Sequence, residues 1–182
     1  MCSEMCIRDR GLHYADIVNT VSPTYCREIQ EPEQGYGFDG ILRERSQDLY
    51  GIINGLDSRA WDPATDSLLV RNYSAKNLTG KGLCKQALQQ ELGLEVSREL
   101  PIVAVVSRLV QQKGIDLIKA IWQELLERDI QFVLLGSGNQ QALQFWQEQR
   151  EKNPQQVSIN LTFDEALSHR LYSAADLLLV PS

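Results

Sequence analysis

Short unbroken apolar runs alternate with stretches in which apolar residues return every three or four positions. The pattern is most regular in the second half of the chain. Residues 102–106, 132–135, 157–161 and 176–180 are runs too short for helices and read as strands. Ahead of them, Leu83, Ala87, Leu88 and Leu92 keep helical spacing, and Gly93 closes that helix. Ile118, Ile121, Trp122, Leu125 and Leu126 mark one face of a second helix, and a third continues from the Gly136 and Gly138 turn through Trp146. Thr162 and Glu165 fit a capping box that opens a fourth, running through Tyr172.

The first part of the chain is less regular. Residues 16–21 read as a short buried strand, after which Ser22 is a helix N-cap and Pro23 the first helical residue. Residues 49–53 form a second short strand, and Gly35, Gly37 and Gly40 punctuate a loop between the two. Residues 55–63 look like a crossover between domains. Strands that alternate with helices of this length predict an α/β protein with parallel, doubly wound sheets. In such sheets ligands bind beyond the carboxyl ends of the strands. The loops after residues 106 and 135 both lie there, so one crevice can hold both.

Composition narrows the function. Of 182 residues, 43% are hydrophobic and 7% aromatic, enough to bury a core. Eighteen basic against 24 acidic side chains give a net charge of -6, which argues against general nucleic-acid binding. No apolar run approaches the ~20 residues that span a bilayer, and no secretory signal pattern opens the chain. Cys2, Cys6, Cys26 and Cys84 lack paired metal-ligand spacing, and only His13 and His169 could add imidazole, so no zinc or other metal site is expected. Reduced thiols in a cytoplasmic-type compartment fit best. Residues 1–10 have no periodicity and resemble a translated sequencing adapter. The other end stops at the close of a strand, so a fragment open at both ends is expected.

The densest chemical signal is the stretch 106–116. Arg108 and Lys113 stand five positions apart between an apolar run and a helix-like run. Fixed cations at a strand-to-helix junction suit a phosphate or diphosphate, together with the free N–H groups of a helix start. Spacing alone leaves open that both merely solvate the surface. Gly136 and Gly138 satisfy turn geometry as readily as they admit a nucleotide, and the third glycine of the dinucleotide fingerprint is absent. His169 reads as a packed or surface histidine, and Asp57 and Asp176 as turn or capping residues.

Five motifs in order go beyond generic α/β. They are residues 20–29 (TVSPTYCREI); 54–57 (NGLD) with 61–63 (WDP); 107–109 (SRL) with 112–114 (QKG); 134–138 (LLGSG); and 169–172 (HRLY) with 175–176 (AD). Together they resemble the bacterial glycogen synthase and plant starch synthase family, over essentially everything from residue 11 onward. The resemblance implies the GT-B architecture, two doubly wound domains facing each other across a cleft. Residues 11–57 would close the N-terminal, glucan-side domain, and residues 58–182 would form the first part of the C-terminal nucleotide-sugar-binding domain.

It also implies transfer of glucose from ADP-glucose to the non-reducing end of an α-1,4-glucan, with retention and with neither metal nor cofactor. Arg108 and Lys113 would be the catalytic cations that neutralise the departing diphosphate. Ser107, Gly136, Gly138, Thr162 and Phe163 would join them in holding the donor nucleotide and phosphates. The implied location is cytoplasmic, or the plastid in a plant or alga, with no nucleic-acid or membrane partner. In the family the position of Thr162 is commonly glycine and that of Phe163 commonly tyrosine. The family's N-terminal lysine-glycine loop, its N-domain histidine and the acidic motif after the last strand have no counterpart among these residues. The 182-residue polypeptide by itself is therefore expected to be inactive. Two alternatives remain at this point: a retaining GT-B transferase using a UDP-sugar, and a non-catalytic nucleotide- or glucan-binding module.

Overall fold

A computed structural model of the chain describes residues 7–138, 140–162 and 164–181. It divides between Asp57 and Ser58 into two units.

The first unit runs α1 (Ile7–Tyr14), β1 (Val18–Val21), α2 (Pro23–Glu28), α3 (Asp39–Glu44), β2 (Leu49–Ile52). The strands pair in parallel, Val18 opposite Leu49 through Val21 opposite Ile52. Helix α1 crosses residues 10 and 11, so regular structure begins inside the segment expected to stand apart. Strand β1 alternates half-buried and exposed residues rather than being buried throughout, and begins two residues later than the apolar run. Ser22 caps α2 as expected: its Oγ accepts from the N–H groups of Thr24 at 3.2 Å and Tyr25 at 3.5 Å. It does so at φ +91°, unusual for a residue with a side chain. The neighbouring strand passes so close that a Cβ at Gly51 would run into Ser22 O and Pro23. The glycine-punctuated loop is shorter than expected. Asp39 and Gly40 already belong to α3, where the Asp39 carboxylate pairs with Arg43 one turn on at 2.8 Å. Cys26, Ile29, Leu42 and Leu49 form this unit's core.

The second unit runs α4 (Thr79–Leu92), β3 (Ile102–Val106), α5 (Ile115–Ala120), α6 (Trp122–Leu126), β4 (Gln131–Leu135), α7 (Gln140–Lys152), β5 (Val157–Asn160), α8 (Glu165–Ala174), β6 (Leu177–Leu178). Its sheet is all parallel, in the order β5-β4-β3-β6. The chain winds from β3 outward to β5, then returns to the other flank of β3 as β6. The winding therefore reverses between β3 and β6, where crevices of doubly wound sheets open.

Strand β3 serves two cores in alternation. Ile102 and Ala104 pack with Leu88, Leu135, Leu171 and Ala174 on the face covered by α4 and α8. Val103 and Val105 pack with Ile118, Trp122, Leu134 and Trp146 on the opposite face. Burial on both faces explains why β3 is apolar at every position.

Four expectations need correction. The helix expected over residues 118–126 is broken at Ile121, where φ −104° and ψ 12° leave the helical region and separate α5 from α6. Leu83 shares the apolar spacing of α4 but is exposed; the buried face uses Cys84, Lys85, Leu88 and Gln89. Helix α8 is capped by Asp164, whose Oδ1 accepts from Leu167 N at 2.9 Å, and not by Thr162. The last strand is two residues long, extended by single hydrogen bonds from Asp176 N to Ile102 O and from Leu179 N to Ala104 O. Asp176 also does more than cap a turn. Its carboxylate accepts from Ile102 N at 2.8 Å and pairs with Lys85 at 2.9 Å, tying α4 to the starts of β3 and β6.

Candidate functional site: a cationic loop at the reversal of the sheet

The loops after β3 and β4 continue their strands' pairing. Ser107 N donates to Leu135 O at 3.1 Å, Leu109 N donates to Ser137 O at 2.7 Å, and Leu109 bridges Gly138. This contact leaves no room for side chains. A Cβ at Gly136 would collide with the Ser107 carbonyl oxygen, and one at Gly138 would sit 2.7 Å from Leu109 Cβ. Both glycines are therefore required by loop-to-loop packing. The expected close approach to a nucleotide is a second demand on the same atoms.

Buried Leu109 anchors the loop, and Arg108 beside it stands in solvent. Ser107 is half-buried and its hydroxyl donates to Arg108 O at 2.9 Å. Beyond Val110 comes a 3-10 turn, Gln111–Lys113, ending in Gly114 at φ +65°. A Cβ on Gly114 would lie 2.8 Å from Pro181 Cβ, so the loop after β3 abuts the residues that follow β6. Lys113 sits half-buried at this junction.

The helix start lies close to only one of the two cations, since Lys113 directly precedes Gly114, the N-cap of α5. The 3-10 turn and left-handed Gly114 separate Arg108 from α5, and Lys113 closes the turn rather than opening a helix. Their electrostatic position is nonetheless distinctive. Neither forms an ion pair with any described residue, although the chain carries net negative charge. Two uncompensated cations thus flank the point where the sheet reverses.

Thr162 follows β5 and is exposed, two strands away from β3 in the sheet order. Phe163 lies outside the described residues. Among the described residues no three His, Cys, Asp or Glu side chains converge as metal ligands would.

The structure also joins residues that spacing did not connect. His169 is buried, with Nδ1 2.7 Å from Asp66 Oδ2 and its ring stacked on Trp61 at 3.8 Å and 13°. Arg170 makes a two-pronged bond to Glu91, at 2.9 and 2.7 Å, linking α8 to α4. Lys81 donates to Ser173 O at 2.9 Å and Ala175 O at 2.7 Å, and Tyr73 donates to Ser173 O at 3.0 Å. These satisfy carbonyls at the end of α8 that have no helical partner. Burial lowers the Lys81 ammonium below the ordinary lysine value, with Asp176 opposing the fall. Burial likewise raises the Tyr73 hydroxyl above 10.0, reinforced by Cys84. In sequence, Asp66 and His169 stand 103 positions apart with no motif linking them.

Comparison with known proteins finds similar sequences and a similar fold. A glycogen synthase of an Anaeromyxobacter species is 49% identical over 172 residues, which is 94% of this chain and 36% of that protein. Glycogen synthase of Leptothrix cholodnii is 48% identical, over 94% of this chain and 35% of its own. The catalytic domain of starch synthase IV from Arabidopsis thaliana, solved bound to ADP and acarbose, superposes with a TM-score of 0.88. It is 41% identical over 94% of this chain and 36% of that one. Over these residues the chain is similar in sequence and fold to glycogen synthases and to a starch synthase. A sequence model of the starch synthase catalytic domain also matches residues 5–44. The chain thus spans about a third of the length of these glycogen and starch synthases. Among the described residues no helix is long and apolar enough to cross a membrane.

Proposed function

We propose that the protein to which these residues belong is a glycogen or starch synthase, transferring glucose from ADP-glucose to the non-reducing end of an α-1,4-glucan with retention. The observation that carries this reading is the uncompensated pair Arg108 and Lys113 at the reversal point of the sheet. When the bond between glucose and diphosphate breaks, negative charge grows on the leaving group and the sugar becomes oxocarbenium-like. The proposed reaction uses no metal or cofactor, so fixed cations neutralise that charge. Groups already aimed at a developing anion contribute about 10²-fold or more in rate each. Ser107, Gly136, Gly138, Thr162 and Phe163 complete the proposed donor-side surface. The donor is proposed as ADP-glucose because the starch synthase neighbour is bound to ADP.

Calorimetric titration of the 182-residue chain with ADP and with UDP tests this assignment. ADP is expected to bind more tightly than UDP, and Arg108→Ala to weaken ADP by about tenfold. That corresponds to loss of one charge-assisted phosphate contact. Arg108 is exposed and unpaired, so its removal leaves the unfolding midpoint nearly unchanged. Equal ADP affinity in wild type and Arg108→Ala would refute the clamp.

A further inference from the structure

The two cations of the loop after β3 are held in different ways. Arg108 is placed by its neighbour Leu109, which is buried and donates its N–H to Ser137 O. The turn that carries Lys113 buries none of its residues. Its backbone bonds, Lys113 N to Val110 O and Gly114 N to Gln111 O, both 2.9 Å, are local. They fix the shape of the turn and leave its place to be set from outside. Buried Ile115 anchors the start of α5, and Gly114 lies between that anchor and Lys113 at φ +65°.

At Gly114 a distant part of the chain makes contact. A Cβ on this residue would meet three atoms of Pro181: Cβ at 2.8 Å, the carbonyl oxygen at 3.1 Å and the carbonyl carbon at 3.2 Å. The glycine backbone therefore packs directly on the proline. Pro181 is itself well placed. Leu179 N donates to Ala104 O at 2.9 Å, carrying the pairing with β3 past the end of β6, and Leu179 packs on the core that β3 and β4 share. Pro181 follows closely, with no N–H to extend the ladder and a ring that holds φ at about −65°. A stiff residue just beyond a paired strand makes a fixed stop. Gly114 rests against it, and half-buried Lys113 is the residue before.

We infer that Pro181 is a positioning residue for Lys113: it seats Gly114, and through it the cation, at the reversal of the sheet. The two segments that meet there follow β3 and β6, the strands between which the winding turns back. A charge aimed at a diphosphate must be held at the right distance, because a small displacement forfeits much of its effect. What Lys113 holds rests on the synthase reading above; the contact that seats it does not.

The test is a double-mutant cycle on ADP affinity, by calorimetry with the 182-residue chain, alongside amide NMR spectra of the ligand-free chain. Pro181→Gly removes the Cβ nearest Gly114 and is expected to weaken ADP about threefold. In a Lys113→Ala background the same change is expected to have no effect, since the group it acts through is gone. In an Arg108→Ala background the threefold loss persists. Pro181→Ala keeps the Cβ and should stay close to wild type. If Pro181→Gly does not fold, Gly114→Ala presses on the same contact from the other side and takes its place in the cycle. No loss with Pro181→Gly, or an equal loss without Lys113, overturns the seat. In the ligand-free spectra Pro181→Gly should shift the Lys113 and Gly114 amides and leave that of Leu109 in place. Those shifts in a chain with no affinity for ADP would sink the synthase reading and leave the seat standing, whereas unmoved amides would overturn it.

Discussion

At Gly136 the fold by itself accounts for the missing Cβ. In sequence this glycine and Gly138 fit a turn as readily as a nucleotide contact, and only the family resemblance implied the nucleotide. In the fold the atom that forbids a side chain is the carbonyl oxygen of Ser107, in the neighbouring loop. The distinction can be measured. Gly136→Ala must push apart two loops joined by the hydrogen bond from Leu109 N to Ser137 O. It is expected to destabilise the chain by about 1–3 kcal/mol, the range for forcing extra volume into a packed site. Urea unfolding without any ligand reads this directly. An unchanged midpoint together with weaker ADP binding would return the glycine to a purely nucleotide-facing role. The same loop shows what a sequence conveys well. Arg108 and Lys113 were recognisable because charge is carried by residue type, whereas the obstacle at Gly136 comes from a residue 29 positions earlier and exists only after folding.

At the scale of elements, the strands β3 and β4 were legible because burial on both faces forces apolar residues at successive positions. Helix ends were less so. Thr162 and Glu165 satisfied the capping-box spacing, yet Asp164 takes the cap; its shorter reach to Leu167 N serves the same orphan donors. The break at Ile121 was hidden as well, because apolar spacing continues smoothly through it. Least visible was the fastening of α8, whose final carbonyls are held by Lys81 and Tyr73 from far earlier in the chain. That fastening carries a pH signature. With burial lowering Lys81 in the folded state, the unfolded chain binds more protons in the window just below 10.5. Stability contributed by Lys81 therefore rises with pH through that window. Tyr73 has the opposite sign: its raised value means the unfolded chain loses its proton first, so its contribution falls as pH climbs past 10.0. Lys81→Met should remove the rising component and leave the falling one, so alkaline destabilisation sets in more steeply than in the wild type. Denaturant midpoints measured across this range check it, and parallel curves for the two proteins would contradict the assignment.

At the scale of the whole chain, the sheet of the second unit has unequal edges. Both edge strands pair on one flank only, β5 with β4 and β6 with β3, but β5 is buried at its first three positions whereas both residues of β6 are exposed. Leu177 is 58% exposed and Leu178 50%, and Val180 just beyond the strand is 75% exposed. An apolar strand with unpaired backbone groups is a template for another strand, and neither a proline within β6 nor a bulge blunts it. Two copies of the 182-residue chain meeting edge to edge would satisfy those groups and cover the leucines together. Sedimentation of this polypeptide is therefore expected to show concentration-dependent association. Leu178→Lys should return it to a monomer, because a charge on that edge opposes its own copy across the pair. Leu178 is half exposed, so the substitution changes the edge with little loss of core packing, and a separate thermal melt of Leu178→Lys confirms that the fold survives. A wild-type chain that sediments as a monomer at every concentration would show that the twist and shortness of β6 already protect it.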